Sequence, residues 1–300
     1  MTVALASEPQ SETYESESAL LMAGRPVANI IRKRCNEEIA ALSERFSILP
    51  GLAVVRVGDD PASLHYAERI TQSFSAAGLT VTVESLPPNA LRAMLQAELA
   101  RFSALPEIAG IIMQMPLPQQ IALKDVIDVL DPEKDVDGIH PLNAGRLVLG
   151  LDSYAPATPS GGIALLDHYG IPIAGKSALV IGRSDVVGKP MAQLLLARNA
   201  TVTIAHSRSR NLPQLVHEAD IVACAIGKAG FIRGEWLKPD AAVLDFGASM
   251  VDGQMRGDVD FDEAVKVVGA ITPVPGGTGP VTSAMLLRNT VKAIRRALRA

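Results

Sequence analysis

Two blocks of short β-branched runs alternate with helical segments, and this alternation constrains the fold more than any other feature. The runs of the first block lie at 51–58 (GLAVVRVG), 80–86 and 108–118. Those of the second block lie at 177–182, 201–206, 220–227 and 241–247, with a fifth candidate at 265–272. Strands that alternate with helices form βαβ units with mostly parallel sheets. We therefore predict an α/β protein with two domains, an N-terminal α/β domain and a Rossmann-type doubly wound parallel sheet.

A loop rich in turn residues, DPEKDVDGIHPLNAGR (131–146), separates the two blocks. The final stretch, VTSAMLLRNTVKAIRRALRA, has the apolar periodicity of an amphipathic helix. We expect a disordered acidic tail at 1–20, followed by two domains. No Lys or Arg precedes Arg25, and the tail is acidic, so neither a secretory signal nor a transit peptide fits it.

Composition excludes several classes of function. A net charge of −4 and a pI near 5.8 argue against nucleic acid as the main partner. No apolar run reaches the roughly 18 residues that a membrane span needs. The two cysteines, Cys35 and Cys224, are far apart, with no His or Cys nearby at metal spacing. We therefore expect no metal, no membrane, a reducing compartment and a cytoplasmic protein.

The segment LVIGRSDVVGKP (179–190) is typical of a strand, a glycine turn and a helix N-terminus. Such a turn presents free N–H groups and the positive end of the helix dipole to a pyrophosphate. Gly182 and Gly188 are six residues apart, however, and Ser184 replaces the middle glycine of the usual fingerprint. An ordinary strand-to-helix turn explains the segment equally well when it is taken alone.

The end of the next strand favours NADP. An NAD enzyme usually carries Asp or Glu there to hold the ribose 2′-hydroxyl, but the residues here are HSRSR (206–210). Hydroxyl and guanidinium groups suit a 2′-phosphate, although a solvated loop is the alternative explanation. The predicted cofactor-binding residues are Gly182, Arg183, Ser184, Gly188, His206, Ser207, Arg208 and Ala248.

Three polar side chains mark a candidate substrate site in the first block. Tyr66 follows the loop DDPAS, Gln114 precedes Pro-Leu-Pro at the end of a buried run, and Asp137 lies in KDVDG. Strand ends and loops after parallel strands are where α/β proteins bind small molecules. Taken singly, each has a structural explanation: a core tyrosine, a strand-end cap and a turn former.

Taken together, seven segments resemble the bifunctional methylenetetrahydrofolate dehydrogenase/methenyltetrahydrofolate cyclohydrolase family. They are VGDDPASLHY, GIIMQMPLP, PEKDVDGIHPLNAGRL, VIGRSDVVGKPMA, ATVTIAHSRSRNL, AIGKAGFIRGEWLKP and ITPVPGGTGPVTSAML. They occur in the family's order between about residues 21 and 295. The resemblance implies a homodimer, a folate cleft between two domains and a C-terminal helix that returns to the first domain. The folate/catalytic domain would then comprise 21–143 plus 280–300, and the NADP-binding domain 144–279.

The resemblance also implies roles for individual residues. Tyr66 would lie against the folate, Gln114 would hydrogen-bond at the reacting centre, and Asp137 would hold the pterin ring. A carboxylate suits that last role because it accepts paired N–H donors. Pro275, Gly276 and Gly277 of PVPGG would approach the bound ligands closely, which glycine permits.

One position departs from the family's pattern. The family has a catalytic lysine four residues after the tyrosine, and this chain has Ile70. A second basic residue, common in the family at position 72, is Gln72 here, and the family's Cys before Thr-Pro is Ala157. Two neighbouring residues could be considered as substitutes for the lysine. Arg69 is a poor base because arginine stays protonated, and His65 would point about 100° away from Tyr66 on a helix.

We therefore expect NADP-dependent oxidation of 5,10-methylenetetrahydrofolate with weak or absent cyclohydrolase activity, since isoleucine neither accepts nor donates a proton. One alternative is a fully bifunctional enzyme that yields 10-formyltetrahydrofolate. Others are a relative acting on a different reduced pterin and a non-catalytic regulator that binds folate or NADP.

Overall fold

The computed structural model describes residues 19–299, which form two parallel sheets, a two-stranded antiparallel sheet and the helices that cover the parallel sheets. The strands are β1 (Leu20–Leu21), β2 (Gly51–Val57), β3 (Val81–Leu86), β4 (Ile108–Met113), β5 (Ser177–Ile181), β6 (Thr201–Ala205), β7 (Ile221–Cys224), β8 (Ala242–Asp245), β9 (Ser249–Val251), β10 (Gln254–Arg256) and β11 (Ala270–Ile271). The α-helices are α1 (Gly24–Arg45), α2 (Pro61–Ala76), α3 (Arg92–Ala104), α4 (Pro141–Val148), α5 (Ala157–His168), α6 (Gly188–Ala197), α7 (Leu212–Glu218), α8 (Phe261–Ala264) and α9 (Thr278–Ala297). Short 3₁₀ turns lie at Leu123–Asp125, Ile127–Val129 and Gly234–Trp236.

The first sheet has the order β3-β2-β4, and both pairs are parallel. The second has the order β1-β11-β8-β7-β5-β6, and again every pair is parallel. All six residues of β4 are buried, as expected for a strand with helices or loops on both faces. The predicted α/β class with a parallel second sheet is therefore confirmed.

The chain crosses between the two sheets near both of its ends. Strand β1 pairs with β11 in the second sheet, and α1, which follows directly, packs along α9. Helix α9 leaves the second sheet and packs along α1 and α5. Asn289 of α9 donates hydrogen bonds to the carbonyls of Val136 and Ala155, at 2.9 and 3.0 Å, so the helix also anchors the connection between the sheets.

Three sequence predictions are corrected here. Leu20 belongs to a strand, so the predicted tail at 1–20 is too long, and its residues 1–18 lie outside the described part of the chain. The run at 265–272 contributes only Ala270–Ile271 as a strand, because turn hydrogen bonds take up the N–H groups of residues 265–268 after the short helix α8. The run at 108–118 ends as a strand at Met113, ahead of a cis peptide bond at Met115–Pro116.

Between residues 19 and 299, no helix is long and apolar enough to cross a membrane. The same part of the chain holds no cluster of three or more His, Cys, Asp or Glu side chains that is suited to a metal ion.

Candidate functional site

The N-terminus of α2 positions the first group of candidate residues. Pro61 occupies the first turn, and the Asp60 carboxylate accepts the Ser63 N–H at 2.8 Å, which caps the helix. The Ser63 hydroxyl in turn donates to Gln114 Oε1 at 2.9 Å, and Gln114 Nε2 donates to the Ser63 carbonyl at 3.1 Å. Gln114, which directly follows β4, is buried, and Ser63 is partly buried, so both hydrogen bonds are partly shielded from water. The sequence analysis predicted Gln114 as a site residue but not Ser63, although Ser63 lies in the segment VGDDPASLHY that resembles the family.

Tyr66 lies one turn further along α2 and is partly buried. Burial raises the pKa of Tyr66 well above its ordinary value, and the negative charge of Asp137 adds to the rise while Arg69 opposes it. The phenol therefore stays protonated throughout the physiological range and acts as a neutral hydrogen-bonding and packing group. The influence of Asp137 shows that the loop after β4 brings the carboxylate close to the tyrosine.

Asp137 sits in a loop that a neighbouring carboxylate holds in shape. Asp135 is fully buried and accepts the N–H groups of Ile139 and His140, at 3.1 and 2.8 Å, and the Asn143 amide at 2.9 Å. Burial raises the pKa of Asp135, although these hydrogen bonds oppose the rise. Asp135 therefore shapes the loop and leaves Asp137 as the carboxylate available to a ligand.

Asp137 accepts no hydrogen bond from a described residue, although protein atoms surround it and only part of its surface is open. Burial raises the pKa of Asp137 to about 7, and the charge of Asp135 contributes to the rise. A ligand that offers paired N–H donors would favour the ionised form. This geometry suits the pterin contact that the family resemblance implies.

Ile70 lies on the same helix face as Tyr66, four residues on, and the two side chains line one cavity of about 480 Å³. Ile70 is 3% exposed and packs in the core of the first domain. Helix α9 closes the opposite side of the cavity with Ser283 and Leu287. By contrast, His65 points to solvent and lies 4.0 Å from Glu68. Its side chain therefore belongs to the protein surface rather than to this cavity.

The loop PVPGG sits where α1 and α9 begin. Gly24 donates its N–H to the Gly276 carbonyl at 2.7 Å, and a side chain at Gly24 would meet the Gly277 carbonyl at 1.8 Å. Pro275 and Gly276 are exposed, and Gly276 has a φ of +108° that favours glycine. The loop thus stands open to a ligand next to the helix that lines the cavity of Tyr66.

The second group of candidate residues meets at the carboxyl ends of β5 and β6. Gly182 donates its N–H to Ala205 at 2.9 Å and has a φ of +122°, and a side chain there would meet the Ala225 carbonyl at 2.3 Å. A side chain at Gly188 would meet the Gly182 carbonyl, also at 2.3 Å. The turn therefore needs both glycines for a tight approach of strand and helix, which fits a dinucleotide pyrophosphate.

Ser184 occupies the position of the usual middle glycine and stabilises the turn through its side chain. Its hydroxyl accepts the N–H groups of Val187 and Gly188, at 3.2 and 3.3 Å, at the start of α6. The side chain thus turns back onto the protein, while Arg183 next to it is exposed.

The residues after β6 form a small turn that leaves its cations exposed. Ser209 Oγ accepts the N–H of His206 at 2.9 Å, and His206 Nδ1 accepts the N–H of Arg208 at 3.1 Å. Ser207, Arg208 and Arg210 are exposed, and the guanidiniums make no ion pair with residues 19–299. A 2′-phosphate would find unpaired cations here, so this turn fits NADP. Ala248, which follows β8, is also exposed.

A pair of buried carboxylates supports this edge of the sheet, and sequence reasoning missed it. Asp245, at the end of β8, accepts the N–H groups of Gly247, Asp258 and Val259, at 2.8 to 2.9 Å. Asp258 accepts those of Ile226, Gly227 and Lys228, at 2.6 to 3.2 Å. Burial raises the pKa of Asp245 to about 6. An acidic residue at a strand end was the available signal, but its partners lie in loops distant in sequence.

Two parallel sheets, a glycine turn fitted to a dinucleotide and the polar side chains of Tyr66, Gln114 and Asp137 are the features of a nucleotide-dependent oxidoreductase. Two family models match the chain. The catalytic domain of tetrahydrofolate dehydrogenase/cyclohydrolase matches residues 22–137, and the NAD(P)-binding domain of the same family matches residues 156–298. The chain therefore belongs to the tetrahydrofolate dehydrogenase/cyclohydrolase family.

Individual relatives agree with this assignment. The bifunctional protein FolD of Herpetosiphon aurantiacus is 51% identical over 277 residues, which cover 92% of this chain and 97% of the relative. The Trypanosoma brucei methylenetetrahydrofolate dehydrogenase-cyclohydrolase, solved with NADP and an inhibitor, is 37% identical with a TM-score of 0.90, covering 94% of this chain and 99% of that one. A 5,10-methylenetetrahydrofolate dehydrogenase from the silkworm Bombyx mori is 33% identical with a TM-score of 0.88, covering 94% and 100%.

These comparisons confirm the predicted family, the predicted class of enzyme, a methylenetetrahydrofolate dehydrogenase, and the predicted cofactor, NADP. They do not address the role of Ile70 or of the other individual site residues, which stay predictions.

Proposed function

We propose that this chain oxidises 5,10-methylenetetrahydrofolate with NADP⁺ and that its cyclohydrolase activity is weak or absent. The observation that carries the proposal is the composition of the cavity beside Tyr66. Among the described side chains that line it there is no His, Lys, Asp, Glu or Cys, and Ile70 occupies the place of the family's lysine. The cavity thus lacks a group that exchanges a proton near neutral pH.

The dehydrogenase step does not need such a group. NADP⁺ held at the glycine turn would supply the hydride acceptor, so the task of the chain's own residues is to bind and orient the folate. Asp137 accepts the N–H donors of the pterin, Tyr66 packs against the folate, and Gln114 is held in place for a hydrogen bond at the reacting centre. The product is a cation, and an uncharged isoleucine does not oppose its formation.

The hydrolytic step makes a different demand. Water must add to the cationic carbon and lose a proton, and a ring C–N bond must then break. A positioned acid or base contributes about 10²- to 10⁴-fold to such a step. Tyr66 stays protonated because burial raises its pKa, and arginine remains charged. We therefore expect hydrolysis to be slower by a factor in this range than in an enzyme that carries the lysine.

A fully bifunctional enzyme is the second candidate, and two observations favour it. The relatives described above include proteins named as bifunctional. In addition, Asp137 has a pKa of about 7, which suits a general base. Family membership makes a non-catalytic regulator or a different pterin substrate less favourable than either candidate.

The test follows NADPH and methenyltetrahydrofolate separately after methylenetetrahydrofolate and NADP⁺ are mixed with the purified protein. The proposal is supported if both products form in equal amounts and methenyltetrahydrofolate then decays no faster than it does without the enzyme. NADPH rising while methenyltetrahydrofolate stays low would overturn it.

Substitution at position 70 supplies the matched comparison. Ile70→Lys should increase hydrolysis at least tenfold, whereas Ile70→Leu, which keeps the apolar volume, should leave it unchanged. If Ile70→Lys folds and binds folate but gains no hydrolysis, the missing lysine is not the cause of a low rate. The predicted homodimer and cytoplasmic location stay predictions, which sedimentation and cell fractionation would test.

A further inference from the structure

Another cavity, of about 350 Å³, lies where α1 and α9 meet the segment 153–155 that leads into α5. Its lining combines three cations of α9 with one carboxylate of α1, namely Arg288, Lys292, Arg295 and Glu38. It shares no lining residue with the cavity of Tyr66, and it includes no residue of the glycine turn or of the turn after β6. The proposed reaction therefore gives this cavity no role.

The three cations stand on one face of α9. Arg288, Lys292 and Arg295 occupy positions i, i+4 and i+7 of the helix, so their side chains are neighbours on successive turns. Like charges one turn apart slightly destabilise a helix when nothing neutralises them. Among the described residues of the lining, Glu38 is the single carboxylate, so the cavity carries an excess of positive charge.

Arg288 has no counter-charge of its own. It makes no hydrogen bond or ion pair with residues 19–299. Its side chain reaches the surface, yet the protein atoms around the guanidinium lower the pKa of Arg288. The neighbouring Cys35 supplies no negative charge, because burial raises the pKa of its thiol to about 11. Since arginine stays protonated in proteins, the partner that Arg288 lacks is an anion.

Lys292 and Arg295 keep free donors beside Arg288. Lys292 Nζ donates to the Ser153 carbonyl at 2.8 Å and pairs with Asp152, which leaves one of its three N–H groups. With residues 19–299, Arg295 makes one hydrogen bond, of 3.2 Å to Glu38, and so retains most of its five donors. Both cations can therefore bind an anion in the cavity without giving up their contacts with the protein.

We propose that this cavity binds a phosphate group through Arg288, Lys292 and Arg295, either as inorganic phosphate or as the phosphate of a small organic molecule. A phosphate dianion presents acceptor oxygens on several sides, which suits three cationic donors on successive turns of a helix. A planar carboxylate pairs with one guanidinium and leaves the other cations without a partner. Because Lys292 also holds the Ser153 carbonyl, a bound phosphate ties α9 to the connection between the two sheets.

The experiment titrates inorganic phosphate into the full chain at pH 8, at constant ionic strength. Saturating NADP⁺ is present throughout, so that the cations predicted to hold its 2′-phosphate are already occupied. Calorimetry should show saturable binding to one site, and the melting temperature should rise with the phosphate concentration.

Three variants test which residues bind the phosphate. Arg288→Gln should raise the Kd about tenfold or more, the range expected for a lost hydrogen bond between charged groups. Glu38→Gln should lower the Kd, because it removes the carboxylate of the lining and frees Arg295. Arg34→Gln is the matched control and should keep the wild-type Kd, because Arg34 lies on α1, is exposed and does not line the cavity.

Absence of saturable binding to the wild type would overturn the site, as would equal Kd values for Arg288→Gln and Arg34→Gln. A higher Kd in Glu38→Gln would also overturn it, since removing a carboxylate cannot weaken an anion site that contains it. The same titration with glycerol 3-phosphate distinguishes the two sources of the phosphate group. Tighter binding than that of inorganic phosphate assigns the cavity to an organic phosphate, and equal or weaker binding assigns it to the free ion.

Discussion

Ser63 and Gln114 hold each other through two hydrogen bonds that run in opposite directions, from the Ser63 hydroxyl at 2.9 Å and to the Ser63 carbonyl at 3.1 Å. Because Ser63 is itself fixed by the Asp60 cap, the carboxamide of Gln114 is oriented by the N-terminus of α2. The side chain assigned to the reacting centre thus has its position set before any ligand arrives.

Ser63→Ala should therefore reduce kcat/KM for the dehydrogenase reaction by about three- to tenfold, the range expected for one lost hydrogen bond. The backbone carbonyl of residue 63 still accepts from Gln114, so the fold should persist. Steady-state kinetics with both substrates measures the change. Ser75→Ala, at an exposed position of the same helix, serves as the control and should stay within twofold of wild type. Equal values for the two variants would show that the pair does not orient Gln114.

Folate affinity should fall as the pH drops below about 7. Burial raises the pKa of Asp137 to about 7, and only the ionised carboxylate accepts the paired N–H groups of a pterin. Lowering the pH from 8 to 6 should therefore weaken the binding of a chemically stable folate analogue about tenfold. Fluorescence titration at saturating NADP⁺ measures it.

The same group should also affect stability, with a defined sign. The pKa of Asp137 is raised from 3.8 to about 7 on folding, so the folded protein binds more protons than the unfolded chain between these values. The contribution of Asp137 to the free energy of unfolding therefore decreases as the pH rises from about 4 to 7. Asp137→Asn should remove both this decrease and the pH dependence of folate binding. A variant that keeps the wild-type profile would assign the titration to another group.

Arg208→Ala should raise the KM for NADP⁺ by about ten- to hundredfold and leave the KM for NAD⁺ unchanged. The guanidinium is exposed and unpaired among the described residues, and a 2′-phosphate would be its charge-assisted partner. Lys176→Ala provides the comparison, because Lys176 precedes the amino end of β5, opposite the edge that carries the glycine turn. Equal losses with both cofactors would place Arg208 outside the 2′-phosphate contact.

Two glycine substitutions should have opposite effects on stability. A side chain at Gly188 would lie 2.3 Å from the Gly182 carbonyl, so Gly188→Ala should lower the melting temperature and weaken NADP⁺ binding. At Gly145, inside α4, nothing lies within 4 Å of the added atom, so Gly145→Ala should stabilise the protein by about 0.5–1 kcal/mol. Thermal unfolding with and without NADP⁺ separates the two cases. A stable, cofactor-binding Gly188→Ala protein would contradict the close packing described for the turn.

The sequence predicted most of the strands because β-branched runs between glycine and proline signals have few other solutions. It did not predict α5, whose sequence ATPSGGIALLDH is a poor helix former by propensity. Tertiary contact explains that helix, since its glycines let Val281 and Phe246 approach closely, and a side chain at Gly162 would lie 2.7 Å from the Phe246 ring.

The candidate site also contains residues that the sequence predicted and residues that only the folded structure reveals. Motifs suggested the residues predicted to contact a ligand, such as Asp137 and Arg208, because their chemistry points to a partner outside the chain. The supporting carboxylates Asp135 and Asp258 were missed, because they accept backbone N–H groups that only the folded loops bring together. A two-residue strand such as β1 has no periodicity to detect.

The paired crossings of the chain have a mechanical consequence. The segments at 21–24 and 272–278 both pass from the second sheet to the first domain, and the bond from Gly24 to Gly276 fastens them to each other. This fastened pair of segments is one attachment between the two sheets. The connection that Asn289 contacts at Val136 and Ala155 is the second. Two such attachments restrain a twist of one sheet against the other more than a single connecting segment would.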